Sequence, residues 1–211
     1  MAKQSRTNIR DSILEASTVL FSKKGYSGVS MRDVAQHLGC TPAALYYHFK
    51  DKDQLYLGVI QHVCHGVSAS LKRAKDSHGE PWDQLSAVLT ELIRTLSANE
   101  SFWRLLQQIL MDENEERMRQ LGNSVFHDIF SIFYDLASKI GPHLDPHQLT
   151  ISMMSLCLFP FQSANAASFL PGFDPTNLQP DKLSSHVLNF ISLGINDDAT
   201  NTLSLKNRKP K

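Results

Sequence analysis

Apolar residues recur every three or four positions along nearly the whole chain, and no stretch alternates like a strand bounded by turns. The pattern predicts an all-α protein of about nine helices. The first spans about 7–24, with Ile9, Ile13, Ala16, Leu20 and Phe21 as its apolar stripe and Gly25 placed to end it. A short helix over 31–38 follows. Ser30 is its N-cap, Asp33 stands three residues on, and Met31, Val34, Ala35 and Leu38 form its inner face. Gly39 stops it. Thr41 and Pro42 then fit the cap and first position of a third helix reaching Tyr47 or His48, because proline gives up only an N–H that would be unbonded there. Asp51, with Gln54 three residues later, opens a long fourth helix to about Lys75. Further helices are predicted near 81–97, 100–112, 114–140, 146–169 and 181–195, separated by turn residues such as Gly141-Pro142 and the 171–180 segment. Pro160 should kink its helix. The polar stretch 197–211 is expected to be disordered.

The spacing of the second and third helices carries the chemistry. Two short helices joined by Gly39-Cys40-Thr41 have the geometry of a helix-turn-helix. If Leu45 and Phe49 turn inward with Leu38, the other side of the third helix shows Thr41, Pro42, Ala43, Ala44, Tyr46, Tyr47 and His48. Small residues at its start bring backbone close to base edges. Hydroxyl and imidazole groups further on suit phosphates or bases. Ser30, with the unbonded N–H groups opening the second helix, and Lys52, opening the fourth, are placed to anchor phosphates on either side. A bland reading, in which Tyr46-Tyr47-His48 merely covers apolar surface, explains two adjacent tyrosines and a histidine less well.

Charge supports a nucleic-acid partner only through its distribution. The net charge is zero. Residues 1–56 nevertheless hold eight Lys/Arg against five acids, 57–205 hold nine against sixteen, and 206–211 add four basic residues. One end of the molecule would attract phosphate and the body would not. With 42% hydrophobic and 20% charged residues the chain is expected to be globular and soluble. It has no apolar run of the ~20 residues needed to span a membrane. The N-terminus lacks a secretory pattern, which suggests a protein that works inside the cell. Cys40, Cys64 and Cys157 are scattered and odd in number, so reduced packing thiols are expected rather than disulfides.

The stretch Gly25-Tyr26, Ser30-Met31, Val34-Ala35, Leu38-Gly39 and Leu45-Tyr46-Tyr47-His48-Phe49, ending at Lys52 and Leu55, resembles the DNA-binding domain of the TetR family over about 47 residues from Ile9. The resemblance implies DNA contacts at Ser30, Arg32, Thr41, Pro42, Ala43, Ala44, Tyr46, Tyr47, His48 and Lys52. It also implies a helix-turn-helix domain over 1–56, joined by a long helix to a ligand-binding and dimerisation domain over 57–196. Phe102, Trp103, Leu106, Leu110, Phe126, Ile129, Phe133, Met153, Cys157 and Phe161 would then line an effector pocket for an apolar or aromatic molecule. Read alone, such stripes are more often core. Leu149, Met153, Leu156, Leu183, Val187, Phe190 and Ile191 would form a homodimer surface of four packed helices. The function implied is a repressor released from a palindromic operator by that ligand. An effector-independent activator or chromosome-organising protein of the same fold is the alternative.

His62, Cys64 and His65 cluster on the fourth helix without a third ligand beside His62 and His65, so no metal is expected, and no cofactor. The acidic run 112–116 with Arg117 and Arg119 reads as a solvated helix start. No phosphate loop, nucleophile elbow or catalytic carboxylate pair stands out, and an enzyme is not expected.

Overall fold

A computed structural model of the chain describes residues 2–195 except residue 78, with side chains from residue 9 onward. The expected tail at 197–211 and the side chains of Lys3 and Arg6 lie outside the described residues. No strand occurs among those described. The helices are α1 (Ala2–Lys24), α2 (Met31–Leu38), α3 (Pro42–His48), α4 (Lys52–Asp76), α5 (Pro81–Ala98), α6 (Glu100–Leu110), α7 (Glu115–Leu121), α8 (His127–Ile140), α9 (Pro146–Ala167) and α10 (Pro180–Ile195). A five-residue π segment (Gly122–Phe126) joins α7 to α8, and a 3-10 turn (Pro175–Leu178) precedes α10. Because α7, the π segment and α8 run on without a break, the described residues form nine helical runs. The predicted single helix over 114–140 is thus one continuous run, Glu115 to Ile140, whose α ladder widens to a π turn at Gly122–Phe126. Gly122, Asn123 and Ser124 are poor helix formers, so the ladder is weakest where it widens. Helix α9 continues through Pro160. No described helix is long and apolar enough to cross a membrane.

The chain forms two compact units. Of the described residues, those up to Ser70 and 98–129 make the first; 71–97 and 130–195 make the second.

In the first unit, α1 packs on α2 and α6. Its buried face is Ile13, Leu14, Ser17, Thr18 and Phe21, while Ile9 is exposed and Ala16 and Leu20 are half-buried. This corrects the expected stripe, which took only apolar positions. Ser17 and Thr18 can face inward because their hydroxyls donate to the Ile13 and Leu14 carbonyls at 2.6 and 2.8 Å. Between α1 and α6, Ser22 Oγ donates to Ser101 Oγ and Gln108 Nε2 to the Ser22 carbonyl. The stripe of α6 is rotated as well. Phe102, Leu105 and Ile109 are buried, Trp103 and Leu106 half-buried, and Leu110 is 59% exposed.

In the second unit, α5 buries Leu85, Val88, Leu89, Leu92, Ile93 and Leu96. Helices α9 and α10 pack on each other, α9 burying Met153, Cys157 and Phe161 and α10 burying Leu183, Val187 and Ile191. Lys75 and Lys139 both bind Asp135, at 2.6 and 2.9 Å, and hold its carboxyl below the usual range.

Candidate nucleic-acid interface

The turn that presents α3 is closed at each end by local chemistry. Ser30, in extended backbone, accepts a hydrogen bond from the Asp33 N–H, and the Ser30 N–H donates back to Asp33 Oδ2 at 2.8 Å, completing a capping box. At the other end Gly39 adopts φ +67°, a left-handed turn that suits glycine, and its N–H and that of Cys40 return to the last carbonyls of α2. Two residues on, Thr41 Oγ1 accepts from the Ala44 N–H and Pro42 occupies the first turn of α3. The Phe49 N–H donates to the Leu45 carbonyl at 2.9 Å and ends that helix.

These caps turn α3 so that Leu45 and Phe49 are buried while Thr41, Pro42, Ala43, Ala44, Tyr46 and Tyr47 face solvent. Tyr46 is 53% and Tyr47 66% exposed. His48 is half-buried, edge-on to the Tyr47 ring at 5.1 Å, and borders a shallow cavity with Ile9, Ile13, Leu38 and Ala44. Arg32 is exposed on α2. Ten predicted contact residues thus lie within one unit, eight of them exposed.

Two of the ten are engaged in ways that the sequence did not announce. The Ser30 hydroxyl gives its proton to Asp33 Oδ2 at 2.6 Å, which holds the Asp33 carboxyl below its usual range. Ser30 therefore has no donor left for a phosphate in this arrangement. The unbonded backbone N–H groups opening α2 remain. Lys52 Nζ donates to the Tyr26 carbonyl at 3.1 Å and lies 4.0 Å from the Tyr26 ring centroid. It ties α4 to the loop between α1 and α2, and its other ammonium protons stay available.

Arg117 was missed. Glu113, Asn114, Glu115 and Glu116 form the expected solvated helix start, but Arg117 is an ion-pair centre that binds Asp112 at 2.8 Å and Asp53 at 2.7 Å and lies 4.0 Å from the Tyr26 ring centroid. The side chains of Arg117 and Asp112 are each only 13% exposed. The guanidinium holds Asp112 below the usual carboxylate range. Arg119 is exposed, as predicted. Nothing in the spacing of Asp53 and Arg117, 64 positions apart, signals their meeting.

The expected effector residues divide between the units. Phe102 and Ile129 are buried in the first, with Trp103, Leu106 and Phe126 half-buried and Leu110 exposed; Phe133, Met153, Cys157 and Phe161 are buried in the second. None lines the cavities described in either unit. Leu110 points to solvent. Of the expected dimer residues, Met153, Leu183, Val187 and Ile191 are buried within their own unit, Leu183 and Val187 beneath a groove between α9 and α10. Leu149 and Leu156 are half-buried, and Phe190 is 58% exposed. Phe190, Phe159, Leu156, Leu183 and Val187 enclose an apolar groove of about 440 Å³ between α9 and α10. Among the described residues no group of three His, Cys, Asp or Glu side chains is set to hold a metal.

A three-helix unit with a capped, outward-facing second helix of the pair defines a helix-turn-helix regulator. The sequence model described as "Bacterial regulatory proteins, tetR family" matches residues 13–59. An HTH-type transcriptional regulator of Staphylococcus aureus is 31% identical over 136 residues, covering 64% of this chain and 70% of its own. The nucleoid occlusion factor SlmA of Vibrio vulnificus is 30% identical over 131 residues, 61% of this chain and 66% of the relative, so the chain spans about two thirds of it. Among solved structures, the transcriptional regulator FadR of Bacillus subtilis with stearoyl-CoA has a TM-score of 0.73 at 14% identity, covering 87% of this chain and 98% of that one. AibR with isovaleryl-CoA and operator DNA has a TM-score of 0.70 at 18% identity, covering 86% and 96%. The chain belongs to the TetR family of bacterial transcription regulators.

Proposed function

We propose that the chain is a homodimeric repressor that lays α3 of each protomer in successive major grooves of a palindromic operator and leaves the DNA when a small apolar or aromatic molecule binds the C-terminal region. The observation that carries the reading is the bare outer side of α3. Tyr46 and Tyr47 expose large amphipathic rings next to Pro42, Ala43 and Ala44, whose small size lets backbone approach base edges. Arg32, Thr41, His48, Lys52 and the opening N–H groups of α2 flank that face as phosphate anchors. Two fold relatives are described with acyl-CoA thioesters, and one of those with operator DNA, which supports an effector-responsive regulator working in the cytoplasm. A second reading, a chromosome-organising protein without an effector, draws on the SlmA likeness alone.

Selection from a random duplex pool tests the proposal. Enrichment of an inverted repeat is expected, with affinity falling steeply between low and physiological salt. Tyr46→Ala should weaken the selected site by roughly 1–3 kcal/mol, about five- to 150-fold, with an unchanged melting temperature. Equal affinity for Tyr46→Ala, or a flat salt response, would count against it. Stearoyl-CoA and isovaleryl-CoA serve as release probes. Occupancy that no such probe reduces would favour the second reading.

A further inference from the structure

The first unit holds a cavity that the DNA-binding reading does not use. About 390 Å³ in volume, it is walled by Arg10 and Leu14 of α1, by Gly58, Gln61, His62, Cys64, His65 and Ser68 of α4, and by Ser124, Val125 and Asp128 beside the π segment. That volume is at the lower end for small-molecule sites, roughly 300–1,000 Å³.

Gln61, His62, His65 and Ser68 fall at helical spacing along α4, so that helix turns a polar stripe to the cavity, exposed at Gln61 and His65, half-buried at His62 and buried at Ser68. Ser68 is only 3% exposed, and its hydroxyl has no hydrogen-bond partner. Ser17 and Thr18 on α1 return their hydroxyls to the carbonyl four residues back; Ser68 does not. A buried hydroxyl left unmade costs on the order of 1–3 kcal/mol, which a bound oxygen would recover. The π segment gives a third pointer, since such single-turn widenings concentrate at functional sites.

We infer that this cavity is a binding site for a small organic anion, a carboxylate or phosphate ester, held by Arg10, His62, His65 and the Ser68 hydroxyl. Every polar side chain of the lining except Asp128 can donate: the Arg10 guanidinium only donates, and two imidazoles, the Gln61 amide and two serine hydroxyls each offer a donor beside an acceptor, while Asp128 has an interaction of its own. Such a set matches an acceptor-rich ligand, and Leu14 and Val125 cover a short apolar portion. The site reports to the reading head. The Arg10 guanidinium lies 5.0 Å from the centroid of the Phe49 ring, and Phe49 ends α3. An anion that recruits Arg10 competes with that stacking.

Inorganic phosphate, titrated into the full chain at constant ionic strength and followed by NMR, tests the site without DNA or acyl chains. His62 and His65, assigned through His62→Gln and His65→Gln, should shift along one saturable curve, with the Phe49 ring protons following it and surface His143 silent. Arg10→Gln should weaken binding about tenfold, as loss of a charge-assisted bond implies. Ser68→Ala, which breaks no protein hydrogen bond, should weaken it about threefold and keep the fold. No saturation, a matching His143 curve, or unchanged affinity in both variants would overturn the site. A silent Phe49 would overturn its link to α3. Because no DNA enters the assay, its failure is separable from failure of the operator reading.

Discussion

Single residues show how strongly context decides chemistry. Cys40 is exposed, whereas burial pushes the Cys64 and Cys157 thiols up to about 12. One of the three thiols should therefore react with a disulfide reagent in the native protein and all three in denaturant; three fast native equivalents would contradict the packing. Since the buried thiols ionise near 8.5 once unfolded, their contribution to stability is complete below that pH and declines as pH rises toward 12. Replacing Cys64 by Ala should flatten that alkaline decline. Asp112 behaves in the opposite sense. Its carboxyl is held low by Arg117, so the pair stabilises the fold above about pH 4 and loses effect as pH falls through the folded value. Asp112→Asn should cost about 1–3 kcal/mol at neutral pH by urea denaturation, and the gap from the parent should close in acid. A gap that does not narrow at all as the pH falls below about 4 would argue that the ion pair is not its source.

Among the elements, caps proved the most readable features and helix faces the least. Ser30, Asp33, Gly39, Thr41 and Pro42 were identified from residue type and spacing, because each cap is made within a few residues of chain. Gly39→Ala tests the left-handed turn in isolation. No atom lies within 4 Å of the added carbon, so any penalty comes from the backbone angle of +67°. About 1 kcal/mol of destabilisation is expected, measured by thermal or urea unfolding. No change would mean that the turn between α2 and α3 is more relaxed than its angle implies. Faces were harder. The periodicity located α1 and α6 but misphased both, since α1 buries serine and threonine and α6 places Leu110 in water. The break at Gly122–Phe126 carried only a faint signal, a short run of weak helix formers.

At the scale of the molecule, the two units divide the proposed tasks. The proposed DNA-contacting residues and the polar anion cavity lie in the first, and the apolar α9/α10 groove lies in the second. Phe159 and Phe190, 65% and 58% exposed beside that groove, are costly to leave in water and suit a second copy of the chain. Phe190→Asp should convert the proposed dimer to monomer in sedimentation experiments without unfolding it. A variant that remains dimeric would place the subunit contact elsewhere.

What the sequence settled alone was the all-helical class, the helix-turn-helix and its exposed α3 side chains, because these depend on hydrogen bonds and periodicities that close within one or two turns. Tertiary structure decided which flank of α6 is buried, that Met153, Leu183, Val187 and Ile191 serve their own core, and that Arg117 reaches Asp53 and Tyr26. It also brought Arg10 to the polar stripe of α4. Those outcomes turn on helix rotation and on partners 64 positions apart and more. A rotation of a few tens of degrees exchanges a buried residue for an exposed one while leaving the apolar pattern unchanged.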